Sequence, residues 1–321
     1  MQYINKECIE KIGVNWERHI NQIEKAIYCL QVGDYSQPIK PYLRYRNEIN
    51  RIIAMPSFIG GDFDVAGIKW IASYPNNVKN GKPRAHSTVI LNHSETGEPI
   101  AIINTALLST IRTAAVSGLI LKHYDKARNL ENFKVGIIGW GPIGQYHYKM
   151  LSGLYGDKIT DIYLYDISQI NKNDTVINDN PKVHIVNSWE EAYSQSDVFI
   201  TCTVANEPYI DKEPKKGALL LNVSLRDFKV DIMDYVKNNI FVDDWDEVCR
   251  ENTDIENMHR NKGLKKEHTK TIIDIICHDG LSSDTSDTIM FNPMGMSVFD
   301  MAVAKHFFDE SLRLKLGQRL D

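Results

Sequence analysis

Lys134-Val-Gly-Ile-Ile138 is a short apolar run that leads straight into Gly139-Trp-Gly-Pro-Ile-Gly144, and residues 146–155 then read as a helix. This strand–glycine loop–helix order constrains the fold more than any other stretch of the chain. Gly139 permits the tight turn, Gly141 lets a pyrophosphate approach the backbone, and Gly144 allows close packing of helix on strand. A phosphate group would then sit on the positive end of the helix. A second strand, 161–165, ends in Asp166, 22 residues after Gly144. A carboxylate there can accept both ribose hydroxyls of an adenosine and repels a 2′-phosphate, so the expected cofactor is NAD rather than NADP. The glycines alone also fit a structural turn in another doubly wound fold.

The same rhythm continues downstream. Strands are expected at 183–186, 198–203, 218–223 and 240–243, with helical stretches among them. Apolar strands alternating with helices imply a parallel sheet covered on both faces. Residues ~115–290 thus read as a doubly wound domain. Residues 290–308 read as a glycine-containing turn followed by a helix that returns to the first part of the chain. That first part differs. Trp16, Ile20, Ile23, Ile27 and Leu30 recur at three- and four-residue steps, as on one helix face, and Gly33-Asp34 stops the helix. Strand candidates follow at 51–55, 65–71, 88–92 and 99–104, punctuated by turn residues, which implies an antiparallel sheet with one open face.

Composition narrows the function. The 321 residues carry 37 Lys+Arg against 42 Asp+Glu, a net charge of −5, which lacks the footprint of a nucleic-acid binder. The basic cluster 262–266, preceded by Glu251, Asp254 and Glu256, reads as a solvated helix face. The five cysteines are scattered, and neither CxxC nor HExxH spacing occurs, so no metal site is expected. No apolar run approaches the ~18 residues of a membrane helix. No basic-then-apolar leader opens the sequence, so the expected location is the cytoplasm.

Several residues are candidates for chemistry. Arg44, Arg51, Lys69, Arg84 and Arg112 lie in or beside strand-like runs. Lys69, inside Val65-Ala-Gly-Ile-Lys-Trp-Ile71, reads either as an outer-face residue of a half-exposed sheet or as a cation in an anion site. Alternation alone favours the outer face. Arg112 could clamp a carboxylate bidentately or form a structural salt bridge. Asp227 follows the 218–223 strand at the edge where open α/β sheets bind ligands, although a turn-forming Asp fits equally. Thr201-Cys202-Thr203-Val204 ends a strand beside the expected reversal of strand order, where adenine and nicotinamide would lie. None of the ten His is singled out by spacing.

Taken together, Gly67-Ile-Lys69-Trp, Leu91-Asn-His-Ser-Glu-Thr96-Gly97-Glu-Pro99, Arg112-Thr-Ala-Ala115, the glycine loop, Leu221-Asn222 followed by Asp227, and Val242-Asp-Asp-Trp245 resemble the ornithine cyclodeaminase/mu-crystallin superfamily. The resemblance implies a Rossmann domain (residues 115–290) and an α+β substrate-binding and dimerisation domain built from both chain ends (1–114 and 291–321). Gln37-Pro-Ile-Lys-Pro-Tyr-Leu-Arg44, Arg51-Ile-Ile-Ala-Met-Pro56, Thr201-Cys-Thr-Val204, Pro208-Tyr-Ile210 and Asn292-Pro-Met-Gly-Met296 are most similar to the branch that makes 2,3-diaminopropionate for siderophores and nonribosomal peptides.

For that branch the resemblance implies NAD-dependent oxidative hydrolysis of N-(2-amino-2-carboxyethyl)-L-glutamate to L-2,3-diaminopropionate and 2-oxoglutarate. It also implies a homodimer and a pyridoxal-phosphate-dependent synthase as the preceding pathway enzyme. It assigns acid–base work to Asp227 with Lys69, and substrate binding to Arg44, Met55, Lys69, Arg112 and Gly295. Cofactor contacts fall to Arg112, Thr113, Gly139, Gly141, Pro142, Ile143, Gly144, Asp166, Thr201, Cys202, Thr203, Val204, Ser224, Asp227, Met294 and Gly295. One departure bears on substrate. Cyclodeaminases carry an acidic residue just before Met-Pro, whereas here Ile52-Ile53-Ala54 precede Met55-Pro56. An ornithine cyclodeaminase, an imine- or opine-type dehydrogenase and a non-enzymatic NAD-binding relative remain the alternatives.

Overall fold

In the computed structural model, residues 1–171, 173–177, 180–236 and 238–321 are described. The chain divides into two compact units, Met1–Ala115 with Gly295–Asp321, and Val116–Met294.

The first unit is built on a sheet in the order Gln318–Arg319, Gln2–Asn5, Pro99–Asn104, Ala85–His93, Val65–Ser73, Arg51–Ile59 and Tyr35–Ser36, with Tyr42–Leu43 also on Arg51–Ile59. Its long central strands are antiparallel, but Gln2–Asn5 pairs parallel with Pro99–Asn104. Four residues are too few to show a period, so the sequence gives no sign of this strand. The two-residue alternation of side chains sorts the sheet faces. Met55, Val65, Lys69, Val89, Leu91 and Ile103 point inward and are buried. The helix Ser297–Arg313 packs on this inner face, and Trp16–Val32 packs against that helix. Trp16–Val32 starts on the side-chain cap of Asn15 and stops at left-handed Gly33, burying Ile20, Ile23, Ile27 and Leu30. The outer face carries Ala54, Pro56, Phe58, Ala66, Ile68 and Trp70, which are apolar yet only half-buried or exposed.

The second unit holds an all-parallel sheet in the order Val183–Ile185, Ile159–Tyr165, Phe133–Ile138, Val198–Thr201, Leu219–Asn222, Ile289–Asn292, Ile240–Val242 and Lys270–Thr271. Strand order reverses between Phe133–Ile138 and Val198–Thr201, which defines the switch-point crevice of a doubly wound fold. The four central strands, Phe133–Ile138, Val198–Thr201, Leu219–Asn222 and Ile289–Asn292, are almost wholly buried, as a doubly covered sheet requires.

Three readings of the sequence are corrected here. Residues 289–292 form a central strand rather than the opening of a turn and helix, because a four-residue apolar run shows no period of its own. The 262–266 cluster is not a helix face: the helix Asp254–Lys262 ends at left-handed Gly263 in its midst. Asp254 and Glu256, taken as solvated, are buried. Residues 278–288 are pinned by Arg128, whose guanidinium donates to the Ser282 and Asp287 carbonyls at 3.2 and 2.7 Å.

Candidate active site

The glycine loop has the form its sequence implies. Gly139 sits at φ +90°, where L-residues are strained, and a Cβ there would collide with the Cys202 carbonyl. A Cβ at Gly144 would strike the carbonyl of Gly139, so the close helix–strand approach depends on its absence. At Gly141 an added Cβ meets nothing within 4 Å, which leaves the space a pyrophosphate needs. Gly141 opens the helix Pro142–Tyr155 with no side-chain cap and no acidic residue in the first turn. The N–H groups of Ile143 and Gly144 at this helix end suit an anion. Behind them His147 is buried and neutral, held well below the usual imidazole range at about 4 by burial. Its Nδ1–H donates to the Ile143 carbonyl and its Nε2 accepts from Ser117, both at 2.8 Å.

Asp166 follows the Ile159–Tyr165 strand, half-buried beside this loop. Its two oxygens accept the backbone N–H of Trp140 at 2.6 Å and of Ser168 at 2.7 Å. These bonds aim the carboxylate and leave further lone pairs for a diol. The indole of Trp140 donates to Asp174 at 2.9 Å, which puts a second carboxylate on the same residue. Cradle, uncapped helix end and acidic ribose position fit NAD.

Across the switch point, Thr201 to Val204 leave their strand with Cys202 donating its N–H to the Ile138 carbonyl at 2.7 Å. Burial pushes the Cys202 thiol up, so it is no thiolate nucleophile. Asp227 is fully buried, and three hydroxyls converge on it. Thr203 and Tyr209 donate to Oδ1, the latter at 3.0 Å, and Ser224 donates to Oδ2. Thr203, Tyr209 and Ser224 are themselves half-buried.

The first unit supplies a separate buried cluster. Lys69 points inward, 2% exposed, which overturns the outer-face reading. Its Nζ lies 3.1 Å from both oxygens of Asp300, and Arg112 Nε donates to the same Oδ1 at 3.1 Å. Arg112 therefore does form a salt bridge. Its Nη1 and Nη2 have no acceptor among the described residues, so the bidentate edge of the guanidinium stays available for a carboxylate. Lys40, 3% exposed, donates to the Gly295 carbonyl at 2.8 Å. Gly295 has φ +89°, and a Cβ there would press Arg112 Nη1 at 3.0 Å. Burial lowers Lys69 from its ordinary 10.5 to about 8, with Asp300 opposing the shift and Arg112 and Lys40 adding to it. Met55 stands directly opposite Lys69 in the sheet register.

Other expected residues lie differently. Arg44 is exposed, donating to the Glu48 carbonyl at 2.8 Å with its guanidinium 5.6 Å from the Tyr42 ring centre, and it takes no part in binding Asp300. Arg51 flanks the same ring at 5.5 Å, and Arg84 is half-buried next to Ala85–His93. Thr113 spends its hydroxyl on the Ser109 carbonyl at 2.7 Å. Met294 takes its N–H to Asp243 at 2.9 Å, and Val204 is exposed. Sequence reasoning missed Lys40, Tyr209 and Asp300. The last had a signal: Asp300 is a lone carboxylate among Val298, Phe299, Met301, Ala302 and Val303. A charge in such a run needs a buried partner.

A doubly wound unit with an NAD crevice, taken with relatives named as amino-acid dehydrogenases and reductases, makes this an NAD-dependent oxidoreductase. The chain belongs to the ornithine cyclodeaminase/mu-crystallin family, whose model matches residues 6–314. Over its full length it is 33% identical to the N-((2S)-2-amino-2-carboxyethyl)-L-glutamate dehydrogenase of Staphylococcus aureus, covering 98% of that protein. Its fold matches the Thermococcus litoralis Delta(1)-pyrroline-2-carboxylate reductase complex with NADH and L-proline at TM-score 0.88 and 22% identity, covering 100% of both chains. An archaeal alanine dehydrogenase dimer with bound NAD matches at TM-score 0.85 and 24% identity, covering 100% of this chain and 99% of that one.

Proposed function

We propose that this protein oxidises N-(2-amino-2-carboxyethyl)-L-glutamate with NAD⁺ and water, giving L-2,3-diaminopropionate, 2-oxoglutarate and NADH. The reaction would serve siderophore or nonribosomal peptide assembly in the cytoplasm, after a pyridoxal-phosphate-dependent synthase. The observation that carries this reading is the end-to-end similarity to the staphylococcal dehydrogenase. The site supports it in two ways. Three buried cations, Lys40, Lys69 and Arg112, suit a substrate rich in carboxylates. The carboxylate-free Ile52-Ile53-Ala54 suits a ligand with no distal ammonium to recognise there.

Bound NAD⁺ supplies the hydride acceptor. Lys69 and the free edge of Arg112 hold substrate carboxylates, with Lys40 beside them, and fix the glutamyl Cα for loss of hydride. Asp227 takes the amine proton through Thr203, Ser224 or Tyr209 as the C=N bond forms. It returns that proton to nitrogen, then accepts one from water as water adds to that carbon and gives it to nitrogen as the C–N bond breaks, while the hydroxyl proton of the departing ketone leaves to solvent. General acid–base help of this kind contributes typically ~10²–10⁴-fold. Arg44, on the surface, is assigned at most to guiding the anion in. The apolar outer sheet face with Phe58, Ile68 and Trp70 is assigned to a second copy of the chain, in line with the archaeal dimer.

A substrate panel tests the reading. NADH should accumulate with N-(2-amino-2-carboxyethyl)-L-glutamate and not with ornithine, alanine or proline. Proline and ammonia from ornithine without net NADH would instead make the protein a cyclodeaminase.

A further inference from the structure

We propose that Asp254 is a positioning residue that holds the 225–228 turn and so fixes the Asp227 carboxylate under its three hydroxyls. The inference rests on the reading of Asp227 as the acid–base group.

Asp254 opens the helix Asp254–Lys262 and is fully buried. One of its oxygens, Oδ2, accepts three N–H groups: the backbone of Asp227 at 3.1 Å, the backbone of Phe228 at 3.2 Å, and Asn222 Nδ2 at 2.9 Å. Its own N–H closes the loop onto the Leu225 carbonyl at 2.8 Å. Leu225 sits at φ +64°, in the left-handed region that a branched side chain avoids, so the turn needs holding from outside. Asn222 is anchored in turn. It accepts from Thr201 Oγ1 at 3.1 Å and donates to Asn292 Oδ1 at 2.8 Å, and Asn292 donates to the Phe241 carbonyl at 3.2 Å. Thr201, Asn222 and Asn292 are the last residues of three neighbouring strands. Asp254 thus ties Asp227 to three neighbouring strand ends of the sheet.

The other oxygen, Oδ1, is buried with no partner among the described residues. Burial pushes Asp254 up from 3.8 to about 7, and the Asp227 charge adds to the rise. Of the other charged groups on these segments, Arg226 is turned to the Glu251 carbonyl and Glu256 is paired with Arg260. Asp227 is the charge that bears on Asp254. Loss of the Asp254 proton places a second negative charge beside Asp227.

The test compares Asp254→Ala, Asp254→Asn and Asp227→Asn in the full-length protein. In Asp254→Ala, kcat should fall about 10²-fold while the KM for NAD⁺ moves less than about twofold. Asp254→Asn keeps an acceptor oxygen for the three N–H groups, so it should retain kcat at pH 6 within about threefold. Its pH profile, however, should lack the rise in kcat near pH 7 expected of the wild type. If Asp254→Ala does not fold, the profile of Asp254→Asn decides alone. A wild-type profile in Asp254→Asn, or full activity in Asp254→Ala with Asp227→Asn inactive, overturns the positioning role and leaves the reading of Asp227 intact. Full activity in Asp227→Asn overturns that reading and this inference with it.

Discussion

Lys69 and Asp300 form a buried ion pair in which one ammonium lies 3.1 Å from both carboxylate oxygens, and Asp300 also takes Arg112 Nε. A single carboxylate thus orders two cations and neutralises one charge. The positive charge left over is what the proposed function uses to hold a substrate carboxylate. A purely structural pair would instead be balanced, because desolvated charges are costly when unmatched.

Removing Asp300 should therefore disable the cluster as a whole. Asp300→Ala leaves two buried cations unpaired and should destabilise the protein by about 3–5 kcal/mol. Asp300→Asn keeps the shape, lowers Lys69 further, and should raise the substrate KM at pH 7.5 with little change in NAD⁺ affinity. Denaturant unfolding of the first variant and steady-state kinetics of the second check this. Unchanged KM in Asp300→Asn would make the pair structural.

Substrate affinity should also report the Lys69 proton. Burial brings this lysine down to about 8, so it is charged at pH 7 and loses its charge as the pH rises through 8. The carboxylate partner loses its cation in that window, and KM should rise between pH 7 and 9. In Lys69→Gln the KM should be high throughout and flat across the same range. A wild-type KM that stays flat from pH 7 to 9 would show that substrate does not meet Lys69.

Cofactor choice should turn on Asp166. Asp166→Ser removes the charge that accepts the ribose diol and repels a 2′-phosphate, each charge-assisted bond being worth about 1.5–3 kcal/mol. NAD⁺ should bind at least tenfold more weakly, while NADP⁺ gains relative to it. Titration of both nucleotides by fluorescence measures the ratio. A wild-type protein that already prefers NADP⁺ would reverse the assignment.

The outer sheet face gives an independent check on assembly. A charge at the middle of the apolar face, as in Ile68→Arg or Trp70→Glu, should yield a monomer by sedimentation without unfolding it, since both side chains lie away from the core. A dimer that survives both changes would place its interface elsewhere.

How much of this was readable in advance depends on where the physical signal lies. The glycine loop and Asp166 were legible because their constraints are local: a tight turn, a close approach and a strand end, all within one strand–helix–strand unit. Alternation alone put Lys69 on the wrong face because residues 65–71 are apolar on both faces and gave no polar side to set the register, whereas the family resemblance assigned it to the site. Pairing it with Asp300 was possible in principle, since each is a lone charge in an apolar run and the two have opposite signs. Lys40 was not singled out because residues 37–44 lie among prolines, where no periodicity separates inside from outside. Asp254 gave no warning. Its burial depends on N–H donors of the 225–228 turn, and that turn exists only once three strand ends have been brought side by side.

The most direct test of the account is product analysis under single-enzyme conditions. The purified protein is incubated with NAD⁺ and N-(2-amino-2-carboxyethyl)-L-glutamate, and NADH is followed by absorbance while diaminopropionate and 2-oxoglutarate are quantified by mass spectrometry. The account predicts equal amounts of all three, formed at one rate. NADH without diaminopropionate, or no consumption of this substrate while another amino acid turns over, would contradict it.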